Sequence, residues 1–276
     1  MSALTTNVFQ VDTAGYKTHV NEIGHGPTLL LLHGSGPGVT ALANWQGVAP
    51  ILAENFRVVM PDLVGFGQTQ EPKGHSYTFM DCWVEQISAL IQALDLKSVC
   101  IVGNSFGGAV ALSVAASHPH LVSKLVLMGA VGVKFEITHA LDTIWGYQPS
   151  VQAMRQLLDV MAYDRSRISD ALAQQRFQAS LADGVQQRYE RLFPEPRQNC
   201  VDQVALAPEV LSELRQPTLL IHGREDRVIP LAVSQRLNEL IPNSQLQIIE
   251  QCGHWTQIEQ ADRFVSLVTD FGLAPN

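Results

Sequence analysis

The chain has 276 residues, of which 46% are hydrophobic and 16% charged, and its formal net charge is −8. That length and balance suit a globular α/β chain with a large buried core and room for an inserted subdomain, and they exclude a disordered protein. The acidic excess offers no basic face to nucleic acid or to an anionic membrane, so an anionic ligand has to find a local cation.

Residues 8–11 and 16–23 alternate apolar and polar side chains around Ala14-Gly15, which predicts an antiparallel hairpin at the edge of a sheet. Residues 28–32 are continuously apolar, as a strand covered on both faces should be, and they run into His33-Gly34-Ser35-Gly36-Pro37-Gly38. A glycine-rich loop at the carboxyl end of a buried strand leaves backbone N–H groups free for an oxygen that gains negative charge, which makes the Ser35 amide a candidate oxyanion donor. His33 is expected to brace that loop. Residues 40–54 have helical spacing, 56–60 form the next buried strand, and 77–94 read as a long amphipathic helix.

The stretch Val99-Cys100-Ile101-Val102-Gly103-Asn104-Ser105-Phe106-Gly107-Gly108 reads as a strand, a sharp turn and a helix start. Its G-x-S-x-G pattern places Ser105 on a tight elbow, with the amide ends and positive dipole of a helix over 106–116 aimed at the same spot. Ser105 is the candidate nucleophile and the Phe106 amide a second oxyanion donor; the alternative is a glycine-rich turn with a capping serine. Another buried strand follows at 121–128, so strand and helix alternate as in a parallel sheet. From 137 to 204 the alternation stops, with helices predicted over 139–145, 150–161 and 168–181 and no strand, which marks an inserted helical cap. The expected division is a core of residues 1–136 and 205–276 and a cap of 137–204. The sheet resumes at 217–221 and 245–248, separated by a helix over 231–241 and followed by one over 258–271.

A serine hydroxyl needs a base within reach and a group to orient that base. Asp226 in His222-Gly223-Arg224-Glu225-Asp226, and His254 in Gly253-His254-Trp255, each follow a predicted strand, and the order Ser, Asp, His is that of α/β-hydrolases. Asp226 has the alternative of pairing with Arg224 or Arg227 while Glu225 supplies the acid, and His254 is one of nine histidines. Four features in the right order at strand ends outweigh these alternatives, and a serine at position 105 directs attack at a carbonyl. Cys82, Cys100, Cys200 and Cys252 form no C-x-x-C pair, and no G-x-G-x-x-G is present, so neither a metal nor an organic cofactor is expected. Scattered thiols, an N-terminus without a leader pattern and the lack of a spanning apolar run suggest a cytoplasmic protein.

The chain resembles the meta-cleavage product hydrolases, α/β-hydrolases that break a carbon–carbon bond in dienoic acids formed by extradiol cleavage of aromatic rings in catechol pathways. The likeness runs through His33 to Val39 with Asn44-Trp45, the elbow with Asn104, Trp145-Gly146-Tyr147, Ala162 to Ser166, Phe193 to Arg197, His222 to Pro230 and Cys252 to Glu259. Within the family it is most similar to the 2-hydroxymuconate semialdehyde hydrolases and relatives acting on small alkyl substituents. The resemblance implies a mostly parallel sheet flanked by helices, a homo-oligomer, and a polar subsite for the substrate's carboxylate and C2 oxygen made of Ser35, Asn44, Asn104, Arg176 and Trp255, with Arg188 and Arg191 as alternatives to Arg176. Val131, Trp145, Val201, Val228 and Ile229 are the candidates for the apolar pocket at C6. A crowded pocket favours hydrogen or a short alkyl group over phenyl, giving 2-hydroxypenta-2,4-dienoate plus formate or a short carboxylic acid. A carboxylesterase would share the triad without needing Asn44, Asn104 and Arg176, and a ligand receptor on the same fold would bind with little turnover.

Overall fold

The computed structural model describes residues 5–72, 74–75, 77, 79–182 and 184–275. Residues 1–4, part of the N-terminus read above as leaderless, and residue 78 of the predicted helix over 77–94 lie outside the described residues.

Eight strands form one sheet in the order β1 (Asn7–Thr13), β2 (Tyr16–Ile23), β4 (Arg57–Pro61), β3 (Thr28–Leu32), β5 (Val99–Asn104), β6 (Val122–Met128), β7 (Thr218–Gly223) and β8 (Ser244–Ile249). The expected hairpin is β1 and β2, antiparallel at one edge, and β2 also runs antiparallel to β4; every other pairing is parallel. Period-2 alternation divides the buried strands between two cores. Leu30, Leu32, Ile101, Leu125, Leu127 and Leu220 face one way, onto the helices α3 (Asp81–Ala93), α4 (Phe106–Ser117) and α11 (Leu231–Leu240). Leu29, Leu31, Val102, Val126, Leu219 and Ile221 face the other, onto α1 (Ala41–Trp45), α2 (Ala49–Leu52) and α13 (Ala261–Leu273).

Two predicted helices are each broken in two. The stretch 40–54 becomes α1, capped by the Thr40 hydroxyl on the Ala43 amide, and α2, which carries Pro50 in its first turn because proline suits a first turn and cannot continue one. The stretch 258–271 becomes α12 (Thr256–Glu259) and α13, separated where Gln260 leaves helical angles at φ −129° and ψ 48°. Helix α3 starts at Asp81, after Met80 at φ 72°.

Between β6 and β7 the described residues contain only helices: α5 (His139–Trp145), α6 (Val151–Met161), α7 (Asp170–Ser180), α8 (Val185–Leu192), α9 (Gln198–Val204) and α10 (Pro208–Glu213), with a short 3-10 turn at Arg165–Arg167. The first three match the predicted spans, and Thr138, Ser150 and Ser169 cap them through their hydroxyls. Helices α8 and α9 escape sequence reading because each buries few side chains, Tyr189 and Leu192 in α8, and Cys200, Val201 and Val204 in α9.

The tightest constraint lies where α4 meets β3 and β5. A methyl group on Gly107 would collide with the Leu32 carbonyl and stand 2.6 Å from the His33 carbonyl. Gly107→Ala is therefore expected to lower unfolding free energy by about 1–3 kcal/mol or more, as overpacking against fixed backbone does; a urea midpoint equal to wild type would show that the helix can move away.

Candidate active site

Strand β5 ends at Asn104, and Ser105 turns the chain at φ 54° and ψ −115° before α4 begins. A side chain in that region is strained, and persists only where the surroundings over-determine it. Here the Ser105 amide donates to Met128 O at 2.9 Å, Gly108 N donates to Ser105 O at 2.9 Å, and Gly103 has the Gly107 carbonyl 2.5 Å from where a Cβ would sit. The hydroxyl projects from this turn into a cavity and makes no hydrogen bond among the described residues. The Phe106 ring is wholly buried against Trp83, with centroids 4.8 Å apart, while its amide heads α4.

The other predicted oxyanion donor is on a loop held from three sides. Ser35 O accepts from the Tyr189 hydroxyl at 2.9 Å, and Ser35 Oγ accepts from Trp145 Nε1 at 2.8 Å. His33 braces the loop as expected: its Nδ1 donates to Gly34 O at 2.7 Å, and its Nε2 accepts from the Leu63 amide at 2.9 Å. That pattern fixes the neutral tautomer, and burial pushes the imidazole below its ordinary pKa.

Asp226 follows β7 and His254 follows β8, and the side chains of both are buried. His254 Nδ1 lies 2.7 Å from Asp226 Oδ2, while Asp226 Oδ1 accepts from the amides of Val228 at 2.8 Å and Ile229 at 2.9 Å. Burial works to raise the Asp226 pKa, but His254, His222 and the Ile229 amide outweigh it and hold the carboxyl below the usual range. The aspartate pairs with neither nearby arginine: Arg224 binds Glu250 at 2.6 Å, and Glu225 accepts instead from the Cys252 amide at 2.9 Å. His222, which sequence reading left without a role, lies behind the pair with Nε2 3.5 Å from Asp226 Oδ2. It donates from Nε2 to Ile229 O at 3.0 Å and accepts at Nδ1 from the Ser234 hydroxyl at 2.7 Å, and burial keeps it neutral. With Nδ1–H of His254 donating to Asp226 Oδ2, the lone pair of Nε2 is left for the cavity.

Ser105 and His254 line one cavity together with Ser35, Asn44, Asn104, Arg176, Trp255 and Val228. The five residues that the family resemblance implied for the polar subsite all line this cavity, with one of the apolar candidates; Gln257, which also lines it, was not named from the sequence. The other four apolar candidates lie elsewhere. Val131, Val201 and Ile229 are packed in the core, and Trp145 turns its ring onto Phe193, with centroids 4.6 Å apart, while its N–H supports Ser35. The apolar wall comes instead from Leu141 and Ile144 of α5 and from Met154, Leu157, Leu158 and Met161 of α6. The last four recur at i, i+3, i+4 and i+7, so the stripe was visible as an amphipathic face; which core it faced was not.

A second cavity shares Ala43, Asn44, Arg176, Trp255, Gln257 and Ile258 with the first, and none of the α6 wall residues. Asn44, Arg176, Trp255 and Gln257 therefore lie where the first cavity adjoins the second, away from the α6 stripe. Arg176 is half-buried, donates only to Ala43 O at 3.3 Å, and has no carboxylate partner among the described residues; burial lowers its pKa. The Nδ2 of Asn44 and the Oε1 of Gln257 are buried without partners. Arg188 and Arg191 do not line the cavity, and Arg191 is engaged with Glu71 at 3.1 Å.

The sequence model of the alpha/beta hydrolase fold family matches residues 27–261. The chain is 51% identical to a 2-hydroxy-6-oxo-2,4-heptadienoate hydrolase of Pseudomonas putida over 93% of each chain. It is 48% identical to a 2-hydroxymuconate semialdehyde hydrolase of Pseudomonas sp. strain CF600, over 95% of this chain and 92% of that one. Among solved structures, a meta-cleavage product hydrolase from Pseudomonas fluorescens, a serine-to-alanine variant complexed with acetates, superimposes with a TM-score of 0.93 at 46% identity over 96% of both chains.

His33 and His222 are buried neutral, so the unfolded chain binds protons that the native state refuses. Stability should be full above about pH 6.5, the ordinary histidine pKa, and should fall as pH drops from there toward the depressed native values. Urea midpoints at pH 7.5, 6 and 5 measure this; a midpoint flat down to the carboxylate range would show that neither histidine carries the linkage.

Proposed function

The chain belongs to the meta-cleavage product hydrolases of the α/β-hydrolase fold family, and from that membership we propose that it hydrolyses 2-hydroxymuconate semialdehyde or a 6-alkyl analogue. The products are 2-hydroxypenta-2,4-dienoate and formate or a short carboxylic acid. The observation that carries the assignment of the substrate's orientation is Arg176, a desolvated cation without a carboxylate partner among the described residues, in the same cavity as Ser105 and His254. A dienoate carboxylate supplies the missing partner.

In this reading Arg176, Asn44 and Trp255 hold the carboxylate end, Asn104 and Ser35 take part at the C2 oxygen, and the α6 stripe with Leu141 and Val228 receives the C6 substituent. The dienol loses its O2 proton and gains one at C5 through His254, which gives a 2-oxo-3-ene with a CH2 at C5. Ser105 Oγ, surrendering its proton to His254 Nε2, attacks C6. Asp226 holds the imidazolium that forms, and the amides of Ser35 and Phe106 receive the oxyanion. Collapse breaks C5–C6; the electron pair runs through C4 and C3 to O2, and the resulting dienolate takes a proton as it leaves. Water activated by His254 then releases the acyl group from Ser105. An ordinary ester does not need the carbanion sink at C5, which is why the polar subsite favours this reading over a carboxylesterase.

Residues 137–204 act as a lid over a core of 1–136 and 205–276, since α5, α6 and α7 supply the cavity's roof and Arg176. Four buried free thiols fit a reducing cytoplasm, and homo-oligomeric assembly follows from the family resemblance. No helix among the described residues is long and apolar enough to cross a membrane.

Bleaching of the yellow ring-fission product tests the reading directly. Ser105→Ala is expected to cut kcat by about 10⁴-fold or more, as loss of a triad nucleophile does. Arg176→Gln should raise KM on the order of tenfold to a hundredfold with a smaller change in kcat, because one charge-assisted contact to bound substrate is lost. Full activity in Ser105→Ala would remove the serine mechanism, and an unchanged KM in Arg176→Gln would move the carboxylate to another residue. A 6-phenyl analogue turned over faster than the 6-methyl substrate would overturn the small-substituent assignment.

A further inference from the structure

We propose that Glu259 is a positioning residue that locks the base loop and the apolar wall of the cavity into one unit, so that the placement of His254 and the size of the C6 pocket are set together; this rests on the carbon–carbon hydrolase reading. Glu259 is 8% exposed at the end of α12 and pairs with no cation among the described residues. Its carboxylate is spent on backbone amides from two distant segments. Oε1 accepts from Gly253 N at 2.9 Å, and Oε2 accepts from Tyr163 N at 2.7 Å and Asp164 N at 3.1 Å. The first amide precedes His254 in the chain. The other two follow α6, the helix whose Met154, Leu157, Leu158 and Met161 line the cavity.

A second tie runs directly between the segments, from His254 N to Met161 O at 2.8 Å. The contact is close enough to demand glycine at 253, where a Cβ would sit 2.6 Å from Met161 O, 2.7 Å from Tyr163 N and 2.9 Å from Glu259 Oε1. One carboxylate thus holds three donors that would otherwise be orphaned where the two loops meet. Loosening it lets the α6 end and the base loop slide past each other, which misplaces His254 relative to Ser105 and reshapes the wall in the same movement. A purely structural carboxylate would affect only the folding equilibrium.

The test compares Glu259→Gln and Glu259→Asp in the full chain, using steady-state rates on 6-hydrogen, 6-methyl and 6-phenyl dienoates beside the thermal midpoint. Glutamine puts an NH2 against an amide donor, so kcat is expected to fall on the order of tenfold to a hundredfold, the scale of an ångström-sized misplacement. The 6-methyl to 6-phenyl ratio of kcat/KM should shift at the same time, and aspartate, which keeps two acceptor oxygens, should recover part of both losses. A lowered midpoint with kcat and the ratio unchanged overturns the proposal, as does a fall in kcat that leaves the ratio untouched.

If the glutamine variant does not fold, hydrogen exchange on wild type decides: the amides of Gly253, Tyr163 and Asp164 should lose protection together in mild denaturant, and independent openings refute the unit. If wild type consumes no dienoate, the functional reading fails by itself. The acetate-to-benzoate ratio on aryl esters then reports the same coupling, and an unchanged ratio in Glu259→Gln refutes it.

Discussion

Ser105 is held at a backbone conformation that costs an L-residue on the order of 1–3 kcal/mol, and the central part of the fold is shaped to impose it. The strain is sustained because α4 must lie almost on the strands. Gly103, Gly107 and Gly108 remove the methyl groups that would hold it off, and the Ser105 amide is tied across to β6. With the helix this close, its first amide and the hydroxyl of Ser105 stand on one turn. The neighbouring strand β3 ends beside this turn in Gly34-Ser35-Gly36, whose Ser35 amide is the second donor in the proposed mechanism. The loop is braced by its own His33, which accepts from the Leu63 amide, by Trp145 of α5 and by Tyr189 of α8, which is how a glycine-rich segment is kept from being mobile.

The acid and base are organised by the same logic of satisfying buried groups. A buried carboxylate without partners would take up a proton. Asp226 avoids that with two amides on one oxygen and an imidazole on the other, and the cost of burial becomes a fixed orientation for His254. His222 is 3.5 Å from the same carboxylate and would compete for its charge if protonated. Burial keeps it neutral against the pull of Asp226 and the Ile229 carbonyl, so the carboxylate's charge remains directed at His254.

Strands, elbow and the serine, aspartate and histidine candidates were legible because each rests on local chemistry: continuous apolar runs for buried parallel strands, glycines where backbones meet, and polar residues at strand ends; the polar subsite came only through the family resemblance, since Asn44 and Arg176 sit on helices. What escaped depends on which way a helix faces. The stripe from Met154 to Met161 has the same periodicity whether it covers a core or a cavity, and only the placement of α6 over Ser105 decides between them. Trp145 shows the converse. Its position in the chain is consistent with a pocket aromatic, yet stacking on Phe193 turns the ring into the core and leaves its N–H for Ser35. The roles of Glu259 and His222 were invisible for a third reason: Glu259 is held by backbone amides and His222 by the Ile229 carbonyl and the Ser234 hydroxyl, and nothing in the sequence marks these as partners.

The acidic chain must also admit an anion, and net charge alone opposes that. The opposing field is screened over about 8–10 Å at ordinary salt, so what governs binding is the charge inside the cavity. There the described residues offer Arg176 with no carboxylate beside it, and the nearest carboxylate of the triad is already committed to His254. A half-buried guanidinium given only one carbonyl has already lost part of its hydration; it gains more from a bound carboxylate than an exposed arginine would, because less hydration is lost in the exchange. Placing that cation at the end away from the α6 stripe makes the cavity polar at one end and apolar at the other. In the proposed orientation, a substrate charged at C1 therefore enters with that end toward Arg176 and its C6 substituent toward the α6 stripe.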